Sequence, residues 1–111
     1  MGGRMTQYVV FRNLDVFGSA GLLSAAIGLD ETPAIKEPDV NKKIDYLFVG
    51  GGQYETGMMG RHTTLHNQLD ELGVKHEYDD DAPGAHDLVT WRHLLYYHFL
   101  PGLWRNNYKW K

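Results

Sequence analysis

The chain has 111 residues, a formal net charge of −3 and no cysteine, and 42% of its residues are hydrophobic. This composition excludes a disordered or collagen-like chain, disulfides and thiolate metal sites, and the small net charge offers no basic surface of the kind that binds nucleic acid. No stretch reaches the ~20 apolar residues of a membrane helix, and no signal-peptide pattern is present. We therefore expect one domain over residues 1–111, with no nucleic-acid or membrane partner, and its cellular compartment cannot be read from the sequence.

The first part of the chain predicts one helix, one strand and one long loop. Apolar residues at helical spacing predict a helix over residues 5–13. The small and apolar residues of 16–23 predict a buried strand in close contact with its neighbours. Residues 28–40 contain Pro33 and Pro38 and predict a loop.

The middle of the chain predicts a buried strand followed by an amphipathic helix. Residues 44–49 form an almost continuous apolar run, which is typical of a strand covered on both faces, and the glycines at 50–52 are predicted to end it. Residues 58–72 predict a helix with Gly73 as its C-terminal cap. The apolar stripe of this helix consists of Leu65, Leu69 and Leu72.

The last part of the chain predicts a third strand and a third helix. Residues 74–78 predict a short strand, residues 79–86 a polar loop, and residues 88–99 a helix that ends before Pro101. Strands that alternate with helices predict a three-layer α/β domain with about three parallel strands flanked by helices. Three strands leave a long unpaired edge, so we expect either a second copy of the chain or a missing half of the domain to cover it.

Two loops that follow predicted strands carry side chains suited to acyl transfer. Ligands of open parallel sheets bind at the carboxyl ends of the strands, where Glu55 and His86 are predicted to lie. A histidine can take the proton of a serine nucleophile, and a carboxylate can orient the imidazole and stabilise its cation. The order of acid and then histidine is that of α/β-hydrolases. The alternative acids are Asp79, Asp80 and Asp81.

The second half of the chain resembles the end of the esterase D-like α/β-hydrolases, the group that includes feruloyl and acetyl-xylan esterases. The resemblance lies in Gly84-Ala85-His86-Asp87, Trp91-Arg92, Phe99-Leu100-Pro101 and Leu103-Trp104-Arg105. It implies an α/β-hydrolase fold with His86 as the base of a catalytic triad. Residues 48–55 resemble the strand and loop that deliver the triad acid, which implies this role for Glu55, although aspartate is commoner there.

The beginning of the chain resembles the segment that follows the nucleophile in the same family, where the nucleophile motif reads G-x-S-M-G-G. On this alignment Met1 follows the catalytic serine, and its backbone N–H would bind the oxyanion. The resemblance covers nearly the whole chain, but no G-x-S-x-G motif occurs in it. We therefore expect the C-terminal half of a hydrolase, starting just after the nucleophile. Ser24, at the end of the first predicted strand, is the candidate nucleophile within the chain, against a structural role for it and for Ser19.

Histidines and aromatic residues elsewhere admit simpler interpretations. His62 and His66 stand four residues apart on one predicted helix and could share a metal ion, but no H-E-x-x-H pattern accompanies them, so a solvated helix face is favoured. We expect no metal and no cofactor, and structural roles for His76, His93 and His98. Core or interface packing is favoured over a stacking platform for the aromatic residues, which are Trp91, Tyr96, Tyr97, Phe99, Trp104, Tyr108 and Trp110.

The sequence thus favours a serine-type carboxylic-ester hydrolase that acts on a small ester substrate. The resemblance implies short acyl esters, including feruloyl or acetyl groups on plant polysaccharide. The alternative is a catalytically inactive, truncated hydrolase that acts as a binding or assembly protein. In either case we expect a homo-oligomer that associates through the exposed sheet edge or the aromatic C-terminal tail.

Overall fold

Three parallel strands form the centre of the domain. The computed structural model describes residues 2–24, 40–54 and 61–103. Within these residues the sheet has the order β1-β2-β3, and the strands are Ser19–Leu23 (β1), Tyr46–Gly52 (β2) and Glu77–Ala82 (β3). This architecture confirms the predicted α/β class with about three parallel strands.

Helices precede, connect and follow these strands. Among the described residues they are Gly2–Phe11 (α1), Val40–Lys43 (α2), Arg61–Glu71 (α3), Leu88–Leu94 (α4), the π-helical segment Leu95–Phe99 and Leu100–Gly102 (α5). None of the helices in this part of the chain is long and apolar enough to cross a membrane. Most of the predicted loop 28–40 and the aromatic residues after position 103 lie outside the described residues, and the short helix α2 was not predicted.

Alternate residues of β2 belong to two separate cores, one on each face of the sheet. Leu47 and Val49 pack with Leu22 and with side chains of α1 and α3, among them Phe11 and Leu65. The other face buries Tyr46, Phe48, Ala82 and Leu94. Because side chains of a strand alternate between faces, a strand with helices on both sides is apolar throughout. The helices therefore form two layers around the sheet.

The prediction that the glycines at 50–52 end the second strand is wrong. β2 continues through Gly52, and all seven of its residues are buried. The physical reason is close packing, since a side chain at Gly51 would overlap the ring of His62 on α3. Glycine at this point admits a neighbouring side chain against the strand, and the pairing of β2 with β3 continues past it with a register shift between Gly50 and Gly52.

The third strand begins later than predicted and includes the acidic run that was assigned to a loop. β3 spans Glu77–Ala82, so Asp79, Asp80 and Asp81 are strand residues, and Val49 and Gly50 of β2 pair with Tyr78 and Asp79. Within the described sheet β3 is an edge strand. Most of its side chains are wholly or partly exposed, so carboxylates can stay in water while the backbone pairs with β2.

The apolar stripe of α3 follows the prediction for two of its three leucines. Leu65 and Leu69 are fully buried against the sheet, whereas Leu72 lies beyond the end of α3 and is 40% exposed. Gly73 has a φ of +72°, which confirms its capping role because this left-handed conformation costs glycine little.

The last helix continues past its predicted end. The π-helical segment shifts the hydrogen-bond register, so that Pro101 falls in the first turn of α5. A proline is tolerated there because the first N–H groups of a helix have no partner within it.

Candidate active site

A cleft of about 330 Å³ lies at the carboxyl ends of the strands. Its walls come from the first turn of α1, the end of β1, the loop before α4 and the first turn of α4. Among the residues that line it are Gly2, Gly3, Ser24, His86 and Trp91. This volume falls at the lower end of the range of small-molecule sites, roughly 300–1,000 Å³.

His86 is exposed and stands in the loop that connects β3 with α4. The next residue, Asp87, is the N-cap of α4 and accepts a hydrogen bond from the backbone N–H of Thr90 at 3.0 Å. This bond and further backbone N–H donors hold the pKa of Asp87 below its ordinary value. The ring of His86 meets the ring of Trp91 edge-on, with centroids 5.1 Å apart. The cap anchors the backbone next to His86, and the imidazole lines the cleft beside Trp91.

Ser24 comes directly after β1 and is 4% exposed. Its backbone N–H donates to the carbonyl of Gly50 at 2.8 Å, and its hydroxyl oxygen accepts the indole N–H of Trp91 at 3.0 Å. Its φ of +54° is left-handed, a conformation that residues other than glycine adopt at an energetic cost. Such strain is commonest at functional sites.

The segment after β2 is hydrogen-bonded to the loop that carries His86. Gln53 donates its backbone N–H to Ala82 at 2.9 Å, and Tyr54 donates to Gly84 at 3.0 Å. Gly52 permits this approach because a Cβ there would overlap the carbonyl oxygen of Gly84. The chain is therefore tied, up to residue 54, to the loop that carries His86. Glu55, the predicted acid, and Met1, the predicted oxyanion donor, lie outside the described residues.

The N-terminal turn of α1 supplies positive potential to the cleft. Gly2 and Gly3 line the cleft, and the first N–H groups of a helix have no intrahelical acceptor. Those groups and the helix dipole favour a negative charge at this position. An oxyanion that develops in an acyl-transfer reaction is such a charge.

The three alternative acids lie on β3, and the structure pairs one of them with a different histidine. Asp79 lies 3.6 Å from Nε2 of His98, whose ring stacks on Phe48. Asp79 also accepts the backbone N–H of Asp81. Asp79 therefore has partners of its own, and neither of these contacts involves His86.

The prediction that His62 and His66 lie on a solvated helix face is wrong. His62 is 2% exposed and packs against Gly51, while His66 is partly buried and contacts His76. The two histidines therefore have separate environments. Tyr96 and Tyr97 are 65% and 63% exposed, so they do not pack in the core as one interpretation had it.

Trp91 is the cleft residue that sequence reasoning missed, because it was assigned to packing. Its position could have indicated a place at the cleft, because Trp91 lies only four residues after Asp87, the N-cap of α4. A side chain so close to the start of α4 lies at the same end of the sheet as His86. Its indole N–H can then reach the end of β1.

Comparison with known proteins links the chain to part of a much longer protein. No protein-family model matches the chain. It is 35% identical over 95 residues to a protein of Xylanibacter ruminicola named endo-1,4-beta-xylanase/feruloyl esterase. The match covers 86% of this chain and 12% of that protein. The chain is thus related to a segment of a protein whose name includes an esterase activity.

Proposed function

We propose that the chain provides the catalytic histidine and carboxylate of a serine-type carboxylic-ester hydrolase. The observation that carries the proposal is the shared cleft, in which His86, Ser24 and the N-terminal turn of α1 meet. A base, a hydroxyl and a site for negative charge are the groups that acyl transfer requires. The esterase activity in the name of the X. ruminicola relative supports the same chemistry.

In this proposal His86 takes the proton of the attacking hydroxyl and later returns it to the leaving alcohol. Glu55 accepts the other ring N–H of His86 and stabilises the imidazolium. The bond from Tyr54 to Gly84 supports this pairing, since it holds the residue before Glu55 against the loop of His86. The first N–H groups of the chain, including that of Met1, bind the oxyanion.

The nucleophile has two candidate sources, one from the geometry and one from the family resemblance. Ser24 lines the cleft, and a hydroxyl that accepts the Trp91 N–H can still donate its own hydrogen to a base. The family resemblance instead implies a serine immediately before Met1, at the N-terminal end of α1.

The substrate class that we propose is a short acyl ester, with feruloyl and acetyl esters of plant polysaccharide as the first candidates. The relative's name also includes a xylanase. Glycoside hydrolysis usually needs two carboxylates that face each other across the scissile bond. The described walls of the cleft carry a histidine and a serine, which are groups that acyl transfer uses, and this supports the esterase.

The test measures hydrolysis of p-nitrophenyl acetate and methyl ferulate by the wild-type chain and by variants. We expect His86→Gln to lower kcat by about 10²–10⁴-fold. Glu55→Gln should lower it by up to about 10⁴-fold, because a neutral amide no longer stabilises the imidazolium. His93→Gln is the matched control, since His93 lies on α4 outside the cleft lining, and its activity should stay at the wild-type level.

Labelling with a fluorophosphonate, followed by mass spectrometry, identifies the nucleophile. Label on Ser24 that disappears in His86→Gln supports the nucleophile within the chain. Activity that appears only when an N-terminal extension ending in Gly-x-Ser precedes Met1 supports the second source. Hydrolysis that is equal in wild type and His86→Gln, both with and without this extension, contradicts the proposal.

A non-catalytic, homo-oligomeric role is the second candidate, and the exposed apolar side chains favour it. Tyr96 and Tyr97 lie on the helix that follows β3 and are mostly exposed, as are Leu88 and Leu100. Tyr96 and Tyr97 contact each other edge-on with centroids 4.9 Å apart, and contiguous exposed apolar groups are typical of association surfaces. Light scattering coupled to gel filtration should show a dimer that Tyr96→Ser and Tyr97→Ser convert to monomer. A monomeric wild-type chain contradicts this candidate.

A further inference from the structure

A cluster of two histidines and one aspartate lies at the opposite end of the sheet from the cleft. His66 and Asp70 stand one turn apart on α3, and His76 directly precedes β3. Nδ1 of His66 lies 2.7 Å from Nε2 of His76. The Asp70 carboxylate lies 3.3 Å from Nε2 of His66 and 3.8 Å from Nε2 of His76. One ligand atom from each residue falls within 4.8 Å of the others.

The tautomer of His76 suits a ligand. Its Nδ1 lies 2.8 Å from the carbonyl oxygen of Val74, which can only accept a hydrogen bond, so Nδ1 carries the hydrogen. Nε2 of the neutral ring then directs its lone pair towards His66 and Asp70. Metal-binding histidines almost always hold their second ring N–H in this manner, and a backbone carbonyl is one of the usual acceptors.

The surroundings hold both rings in place. The side chain of His76 is 2% exposed, and the ring of His66 stacks on Tyr78 at a centroid distance of 3.8 Å. Asp70 is 60% exposed and can adjust its position. Two imidazole nitrogens bound to one tetrahedral ion stand about 3.3 Å apart, so the rings need to separate by only about 0.6 Å.

We propose that His66, Asp70 and His76 bind one divalent transition-metal ion, with Zn²⁺ as the best match. Two imidazole nitrogens and one carboxylate oxygen are a ligand set for zinc, nickel or copper, whereas Mg²⁺ and Ca²⁺ take oxygen ligands. Binding replaces the hydrogen bond between the two rings, and the hydrogen of His66 moves from Nδ1 to Nε2, so that the neutral ring binds the ion through Nδ1. The ion links the last turns of α3 to the start of β3 independently of the cleft, and a water molecule would complete its tetrahedral coordination.

Metal binding to the tag-free, chelator-treated chain tests the proposal. Calorimetry with ZnCl₂ should give one site, and Zn²⁺ should raise the melting temperature. Co²⁺ in place of Zn²⁺ should give the visible absorption of a tetrahedral nitrogen–oxygen site. His66→Gln and His76→Gln should each weaken Zn²⁺ binding by at least about tenfold. His93→Gln, which leaves the cluster intact, should bind Zn²⁺ as the wild type does.

Asp70→Asn keeps the test decisive if a histidine variant does not fold. Asp70 is exposed, so this variant should fold, bind Zn²⁺ at least about tenfold more weakly and change the Co²⁺ spectrum. A wild-type melting temperature that does not respond to Zn²⁺ overturns the proposal. Equal Zn²⁺ affinity in wild type and Asp70→Asn overturns the assignment of these three ligands. The His86→Gln variant should bind Zn²⁺ as the wild type does, even if it loses esterase activity. Failure of one proposal therefore does not imply failure of the other.

Discussion

The indole N–H of Trp91 on α4 donates to the hydroxyl oxygen of Ser24 at the end of β1, over 3.0 Å and a sequence separation of 67 residues. The same indole meets the ring of His86 edge-on. Trp91 therefore connects the end of the first strand to the loop of the predicted base. A single side chain sets the distance between two walls of the cleft.

Replacing Trp91 with phenylalanine should remove this hydrogen bond and retain an aromatic ring beside His86. A typical buried hydrogen bond contributes about 1 kcal/mol to the free energy of unfolding, so we expect a loss of this size for Trp91→Phe. Urea denaturation followed by circular dichroism measures it. Ser24→Ala provides the matched change at the acceptor.

The double variant Trp91→Phe/Ser24→Ala tests whether the bond is the cause. The losses of the single variants should not add, and the difference should be about 0.5–1.5 kcal/mol. Additive losses would mean that the two side chains act through other contacts.

Gly51→Ala should destabilise the fold because a methyl group there overlaps the ring of His62. Overpacking of this kind costs about 1–3 kcal/mol. His62→Ala in the same chain makes room for the added methyl group, so Gly51→Ala should cost less in that background than in the wild type. Thermal unfolding of the four proteins measures the effect, and an equal cost in both backgrounds would argue against the contact.

Leu69→Ala should cost about 2–5 kcal/mol of unfolding free energy, because Leu69 is fully buried between α3 and the sheet. Leu72→Ala is the control, since Leu72 is 40% exposed and its truncation should change stability by less than about 0.5 kcal/mol. Chemical denaturation compares the two variants. Equal losses would contradict the observed position of the stripe.

The Asp87 cap should make stability depend on pH in the acidic range. Its carboxyl pKa is lower in the folded chain, chiefly because the Thr90 N–H donates to the carboxylate. The unfolded chain therefore binds this proton at a higher pH, and the stabilisation is complete above the ordinary carboxyl pKa. It is lost as the pH falls through the folded value.

Asp87→Asn measures this contribution, because asparagine also caps helices but does not titrate. The melting temperature of the wild type should fall more steeply than that of the variant as the pH is lowered. Curves that stay parallel over the acidic range would show that Asp87 does not contribute to the pH dependence.

The sequence predicts features of this fold that depend on local pattern. The apolar run of β2, the buried leucines of α3 and the cap at Gly73 follow from periodicity and from the conformational freedom of glycine. The extent of β2 does not follow from local pattern. A run of three glycines usually ends a strand, and only the packing of His62 on Gly51 explains why β2 continues through it.

Features that depend on contacts between distant residues were not predictable. β3 carries three aspartates and becomes a strand because β2 offers it a partner, which no local pattern reveals. The position of His86 at the cleft was predictable from the loop in which it stands. Its neighbour Trp91 and the pairing of His66 with His76 require the relative positions of α4, α3 and the sheet.

At the π-helical turn Leu95–Phe99, the number of residues matters more to the fold than the identity of the exposed side chains. It sets the angle at which Phe99 stacks on Tyr46, with centroids 5.7 Å apart. Deleting one residue from the turn would rotate everything after it by about 100° around the helix axis and carry that ring away from the sheet. Homologous chains should accordingly vary in the side chains at positions 96 and 97 while preserving the number of residues between Leu94 and Phe99.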